Sequence, residues 1–257
     1  MIIPVYKPLG ASSHALAKKV GEIVGEKATH TGTLDPMADG VLVVLTGEDR
    51  FQKGVLNEQK MYSFSFAVGL TTDSLDVLGE ITSVADAEYT QDGITNQITE
   101  ILPTFVGSQH QTQPLFSAQR VQGSSAFELA KANQDFSPRI NEIYISSLDF
   151  IKITTLAVTD FFAQAARGRA VVTGNFRQEE IEADWAKHTA TFLQNGVTQL
   201  VICTCSTTVS KKTYIRSLVR DIGVALSAPT VTTAITRTKN GEFSLTQAKC
   251  WYNTHLA

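Results

Sequence analysis

His30-Thr31-Gly32-Thr33-Leu34-Asp35-Pro36-Met37-Ala38-Asp39-Gly40, continuing into Val41-Leu42-Val43-Val44-Leu45-Thr46, sets a polar loop directly against an apolar, valine-rich run. The run reads as a buried strand. On the N-terminal side, Ser12 or Ser13 is placed to cap a helix reaching about Gly25, whose Leu16, Val20, Ile23 and Val24 recur at helical spacing. A loop held between a helix and a buried strand is a rigid mounting, and loops so mounted often carry function. Taken alone, Asp35 before Pro36 is more simply a turn cap.

Working outward, residues 2–6 read as a short strand and Lys7-Pro8-Leu9-Gly10 as a turn. Residues 60–68 alternate strictly, with Tyr62, Phe64, Phe66 and Val68 on one face, which is a strand pattern. Residues 69–79 read as a loop, 98–105 as a helix, and 107–113 as a polar, exposed stretch; strands then dominate to about residue 159. Between 160 and 198, Arg167-Gly168-Arg169 reads as a turn and 178–193 as a helix rich in acidic residues. Residues 200–205 form a strand, and Thr213 is placed to cap a helix that turns Ile215, Leu218, Val219 and Ile222 inward. Strand runs and separated helices without repeats place the chain in the α+β class, on a large mixed sheet.

A content of 43% hydrophobic and 18% charged residues in 257 excludes a disordered chain and allows a substantial core. The first residues lack a signal-peptide pattern and no apolar run is long enough to span a bilayer, so the expectation is a cytoplasmic protein with no membrane partner. The three cysteines, with Cys203 and Cys205 on one face of a strand, match no zinc spacing and read as reduced structural thiols. A net charge of -3 runs against a nucleic-acid partner, but the charge is unevenly spread. Residues 61–106 hold seven acidic and no basic side chains, whereas 200–257 carry Lys211, Lys212, Arg216, Arg220, Arg237, Lys239 and Lys249 against Asp221 and Glu242. That stretch can supply phosphate contacts; its plainer reading is a solvated face.

The loop resembles the GHTGxLDPxAxGxL signature of the tRNA pseudouridine-55 synthase (TruB) family, matching it at His30, Thr31, Gly32, Leu34, Asp35, Pro36, Ala38, Gly40 and Leu42. Thr29 and Asp39 depart from it without touching the carboxylate. Further similarities follow in order. Residues 7–13 resemble KPxGxxS, Lys60-Met61-Tyr62 a K-x-Y strand motif, and 72–79 an acidic D-x-x-G loop. Residues 114–118 resemble P-x-YSA with Phe116 for tyrosine, 211–218 resemble SKGTYIRSL, and 237–245 resemble R-x-x-x-G-x-F-x-L. The resemblance implies a single pseudouridine synthase catalytic domain over 1–257, with a mainly antiparallel mixed sheet and flanking helices. It further implies an RNA-gripping insertion at 107–140, an atypical insertion at 160–198, and no further C-terminal RNA-binding domain.

By resemblance the reaction is isomerisation of uridine at position 55 in the tRNA T-arm, without metal, nucleotide or other cofactor. Asp35 is the implied catalytic carboxylate, a group suited to act as nucleophile or charge stabiliser when a glycosidic bond breaks. Arg216, in the first turn of its helix, faces the positive end of the macrodipole and needs an anion, which Asp35 or an RNA phosphate would supply; the plainer reading is a surface arginine, and the family implies Asp35. Tyr62 is implied to stack on the target base, although its place beside Phe64 and Phe66 is equally that of a core residue. A uracil within a folded loop must be flipped out, and His30 is the implied occupant of the gap. Lys7, Lys18, Lys19, Arg120, Lys211 and Arg237 are the expected RNA-contacting cations, and Ile235 and Leu218 the expected pocket walls. Competing readings are a synthase acting on another RNA, a tRNA-binding or tRNA-folding protein without turnover, and a hydrolase using His30, Asp35 and Asp39 as metal ligands. The last matches no known metal-loop spacing.

Overall fold

The computed structural model describes residues 1–54, 59–121, 123–132, 134–174 and 176–248. The chain begins with β1 (Ile2–Lys7), α1 (Ser13–Val24), β2 (Ala28–His30) and β3 (Ala38–Thr46), followed by β4 (Lys60–Val68) and the hairpin of β5 (Leu70–Thr72) and β6 (Ile81–Val84). It continues through α2 (Gln91–Ile101), β7 (Gly107–Thr112), a small ribbon of β8 (Arg120–Val121) and β9 (Ser124–Ser125), and α3 (Ala126–Lys131). Then come the long β10 (Ile140–Ala157), α4 (Val158–Ala170), α5 (Gln178–Gln194), β11 (Gln199–Val209), α6 (Ile215–Leu226), β12 (Thr230–Asn240) and β13 (Phe243–Ser244).

One sheet organises these elements in the order β1-β3-β12-β4-β11-β10-β7, with β2 added to β3 and β13 to β12. Its pairings are antiparallel except β3 with β12, where Ala38, Asp39 and Gly40 lie opposite Ile235, Thr236 and Arg237. The fold is therefore α+β on a mixed, mainly antiparallel sheet, as the sequence implied. The parallel crossing is close: Gly40 sits at φ 108°, and a Cβ there would strike the Arg237 backbone. Only glycine meets both demands.

The alternation in β4 behaves as its sequence dictates. Phe64 and Phe66 are fully buried in a core shared with Cys203 and Cys205 of β11, Ile94 and Ile98 of α2, and Leu218, Val219 and Ile222 of α6. Burying each phenylalanine contributes roughly 1.5–3 kcal/mol. Burial also pushes both thiols up to about 12, so they are unreactive packing groups. Leu16, Ala17 and Val20 of α1 cover Val5, Leu42 and Val44 on the β1–β3 edge. Phe161, Phe162, Trp185 and Phe192 of α4 and α5 close over the β5–β6 hairpin and the near end of the sheet.

Several expectations need correction. The polar stretch at 107–113 is not simply exposed: residues 107–112 form edge strand β7, paired with Ile140–Ile145 of β10, and Gln111 and Gln113 are buried. Arg167-Gly168-Arg169 is the last turn of α4 rather than a turn between elements. The helix at 98–105 begins at Gln91 and ends in a tight 3-10 turn after Ile101. The loop at 69–79 contains β5, and the strand-rich stretch contains α3. Tyr214, not Thr213, stands at the start of α6. Lys249 of the basic C-terminal stretch lies outside the described residues.

Candidate active site

Asp35 sits on the turn between β2 and β3, and its backbone neighbours are tied down on every side. Thr31 N–H donates to Val43 O (3.0 Å), and Gly10 N–H donates to Pro36 O (2.8 Å). Ser13 Oγ, at the start of α1, accepts from Leu34 N–H (2.9 Å) and donates to Leu34 O (2.8 Å). Arg237 Nη2 donates to Gly32 O (3.1 Å). These bonds fix the turn without using the Asp35 carboxylate, whose side chain is 28% exposed and so opens to a cleft.

The carboxylate is held instead by Arg216, the second residue of α6. Nε donates to Oδ2 and Nη2 to Oδ1, both at 2.9 Å, a bidentate pair. The remaining guanidinium donors reach Ser74 O and Phe116 O, each at 2.8 Å. Asp76 adds a second carboxylate 3.5 Å from Arg216 Nε. Burial works against the Arg216 cation, and the Asp35 and Asp76 charges more than offset it, holding its pKa above the ordinary value. For Asp76 burial dominates and raises the pKa, opposed by Arg216 and by Ser74 Oγ, which donates to it at 2.6 Å. The sequence placed Asp76 only within an acidic loop. Its partnership with a cation 140 residues later in the chain leaves no local signal.

The start of α6 is set by the polar strand β7, which explains why that strand carries no apolar pattern. The Gln111 side chain accepts from Tyr214 N–H (2.8 Å) and donates to Tyr214 O (3.2 Å), while Ser217 Oγ donates to Thr112 O (2.8 Å).

Asp35 lies between two adjoining lobes. One, of about 430 Å³, is walled by Tyr62, Ile235 and Leu34 and edged by Lys60, Arg139 and Lys212. The other, of about 470 Å³, is lined by His14, His30, Arg120, Phe116, Phe127 and Phe176. Tyr62 and Ile235 thus do both things the sequence allowed, joining the core and facing the cleft. His30 stands on the second lobe beside Asp35, with its Nδ1 accepting weakly from Gly32 N–H (3.4 Å).

The expected cations divide. Lys7 is fully buried, its Nζ donating to Ala38 O (2.6 Å) and Pro8 O (3.1 Å), so it supports β3 instead of meeting RNA. Burial lowers its pKa to about 8, with Asp35 and Asp39 partly opposing. Arg237 is likewise buried, with Nε donating to Val41 O (2.7 Å). Its role as a freely presented RNA contact is corrected to a tie between β12 and the Asp35 turn. Lys18 is on the outer face of α1, 3.7 Å from Glu22, and Lys19 on the same helix is half-buried; neither lines the cleft. Arg120 is exposed at the rim of the second lobe. Lys212 rather than Lys211 edges the first lobe, at φ 70°, a glycine-like conformation where the resembling motif has glycine. Leu218 is core and touches neither lobe. Arg139 was missed by the sequence reading, and Lys60 was read only as part of the K-x-Y strand motif. Burial, reinforced by Arg237 and Lys211, lowers the Lys60 pKa to about 8.

Asp39 accepts from Tyr6 Oη (2.8 Å) and lines neither lobe. Among the described residues no group of three or more His, Cys, Asp or Glu side chains is arranged to hold a metal ion. No described helix is long and apolar enough to cross a membrane.

Comparison with known proteins bears on the family and the fold. A tRNA pseudouridine synthase B from Pelotomaculum thermopropionicum is 32% identical over 246 residues, covering 95% of this chain and 64% of that protein. Its counterpart from Thiobacillus denitrificans is 31% identical over 249 residues, covering 96% and 67%. The chain therefore spans about two thirds of the length of these curated relatives. Among solved structures, a Cbf5-Nop10-Gar1 complex matches with a TM-score of 0.55 at 20% identity, over 95% of this chain and 49% of that one. An H/ACA RNP bound to a substrate RNA containing 2'-deoxyuridine matches at 0.52 and 19%, over 95% and 48%. These two likenesses concern the fold. Residues 18–171 match the model of the TruB family pseudouridylate synthase N-terminal domain, and with the relatives above this shows that the chain belongs to the TruB family.

Proposed function

We propose that this protein isomerises uridine to pseudouridine in tRNA, at position 55 of the T-arm, with Asp35 as the catalytic carboxylate. The observation that carries the reading is the bidentate Arg216–Asp35 pair at the junction of two lobes, with Tyr62 and Ile235 beside it. The relatives' names, tRNA pseudouridine synthase B, point to the same substrate class. In the reaction the N1–C1′ bond breaks, the uracil turns, and a C5–C1′ bond forms; C5 loses a proton and N1 gains one. Bound by Arg216 at both oxygens, Asp35 is aimed, ready to attack or to stabilise developing positive charge. Its partial exposure leaves one side open to the nucleotide.

Tyr62 and Ile235 present flat and apolar surface for a flipped uracil, and His30 stands next to the same turn, placed to fill the vacated stack. Arg139, Lys212 and Arg120 ring the opening and supply phosphate contacts, which reconciles an overall charge of -3 with an RNA substrate. The test is tritium release from tRNA labelled at uridine C5. Release equal to one position per tRNA supports the reading. No release at saturating protein sinks it, and tRNA retention without release identifies a binding protein.

A further inference from the structure

Residues 160–198 contribute Phe176 and Arg177 to the wall of the second lobe, and they also grip the segment that holds Arg216. From α4, Arg169 Nη1 donates to Val77 O (3.2 Å); from α5, Trp185 Nε1 donates to Gly79 O (2.8 Å) and Asp184 Oδ2 accepts from Ile81 N–H (2.7 Å). Between the helices, Arg177 bonds Asp73 through Nη2 (2.8 Å) and Glu80 through Nη1 (2.9 Å). The Arg177 guanidinium also lies over the Phe116 ring, 4.6 Å from its centroid. The same connection meets the other partner's support: Thr173 N–H donates to Gly10 O (3.3 Å), and Gly10 N–H donates to Pro36 O. Gly10 has φ 82°, and a Cβ there would collide with the Val171 carbonyl, so the approach is built for glycine.

Arg177 is the contact nearest the chemistry. It ties Asp73, next to Ser74, to Phe116, and the Ser74 and Phe116 carbonyls are the two that accept from Arg216. It does so from a left-handed backbone, φ 60°, that a non-glycine residue keeps only where its surroundings impose it. Arg169, by contrast, is spent on Glu182 and the Trp185 face and reaches the segment further from Ser74.

We infer that Arg177 is a positioning residue: by locking Asp73 and Phe116 together it fixes the two carbonyls that aim Arg216 at Asp35. The inference rests on Asp35 and Arg216 forming the catalytic pair. Its consequence is that residues 160–198 pre-organise the active site within the chain, in addition to forming their own core.

The test compares Arg177→Met and Arg177→Lys with wild type in two measurements. One is steady-state pseudouridine formation on tRNA; the other is the ¹⁵N-arginine spectrum, with the Arg216 Nε–H signal assigned through Arg216→Lys. Arg177→Met is expected to lower kcat about 10- to 100-fold with KM within roughly twofold, since small misplacement of a catalytic group costs this much. The Arg216 signal should shift or broaden at the same time, and Arg177→Lys should recover part of both. An unchanged Arg216 signal in a folded Arg177→Met protein overturns the inference, whatever the activity. So does a rise in KM with kcat unchanged, which makes Arg177 an RNA contact instead. If wild type is inactive the functional reading fails by itself, and the spectrum still decides whether Arg177 positions Arg216.

Discussion

Arg216 shows how a residue that is awkward for its helix becomes useful to a site. A cation in the first turn of α6 meets the positive end of the helix, and burial adds a further penalty; two carboxylates and two carbonyls offset both. The same environment governs the lysines. Lys7 and Lys60 have pKa values lowered from 10.5 to about 8, chiefly by burial. The unfolded chain therefore binds these protons more tightly than the folded one. Their penalty is fully present below pH 8 and is relieved as pH rises from about 8 to 10.5, on the order of 3 kcal/mol for each lysine. Urea denaturation between pH 8 and 10 should show stability rising more steeply in wild type than in Lys60→Met, and equal slopes would contradict the assignment. These lysines also mark a limit of sequence reading. Lys7 and Arg237 looked like surface cations because lysine and arginine usually are, and the Ala38 and Val41 carbonyls that receive them lie 31 and 196 residues away in the chain.

At the scale of elements, the Asp35 turn is a junction of α1, β3 and β12 more than a loop in its own right. Ser13 holds Leu34 by both its backbone groups, so Ser13→Ala should cost about 1–3 kcal/mol in urea unfolding. It should also lower kcat about tenfold with little change in KM, because the Asp35 turn loses its fixed orientation. Lost stability with kcat unchanged would mean the turn is held well enough by Thr31, Pro36 and Arg237 alone. Legibility among the elements followed periodicity. β4 was readable because its alternation is driven by burial on one face, and α1 because its apolar stripe covers β1 and β3. β7 was not, because its inward residue is Gln111, which serves the backbone of Tyr214 through hydrogen bonds. α4 was obscured by Arg167-Gly168-Arg169; Phe161, Phe162, Ala165 and Arg169 do form a buried stripe, but one whose last member is charged.

For the whole molecule, a sheet built from both halves of the sequence brings Asp35, Tyr62, Arg216 and Ile235 together, and Arg139, Lys212 and Arg120 stand at the cleft of a chain whose net charge is -3. The salt dependence of kcat/KM should follow these few rim charges, with a log–log slope of roughly -2 to -3, and Arg139→Ala should reduce it by about one. A slope near zero would place the RNA elsewhere. The ordered motifs made the family readable from sequence and singled out Asp35 as the candidate carboxylate, whereas Asp76, Arg139 and Arg177 acquire their places only through contacts between distant segments. The most direct measurement is pseudouridine mapping of unmodified tRNA after incubation with wild type and with Asp35→Asn, without added cofactor or metal. The account predicts pseudouridine at position 55 with wild type alone, and equal tRNA binding by both proteins. Product from Asp35→Asn, or none from wild type, would contradict it.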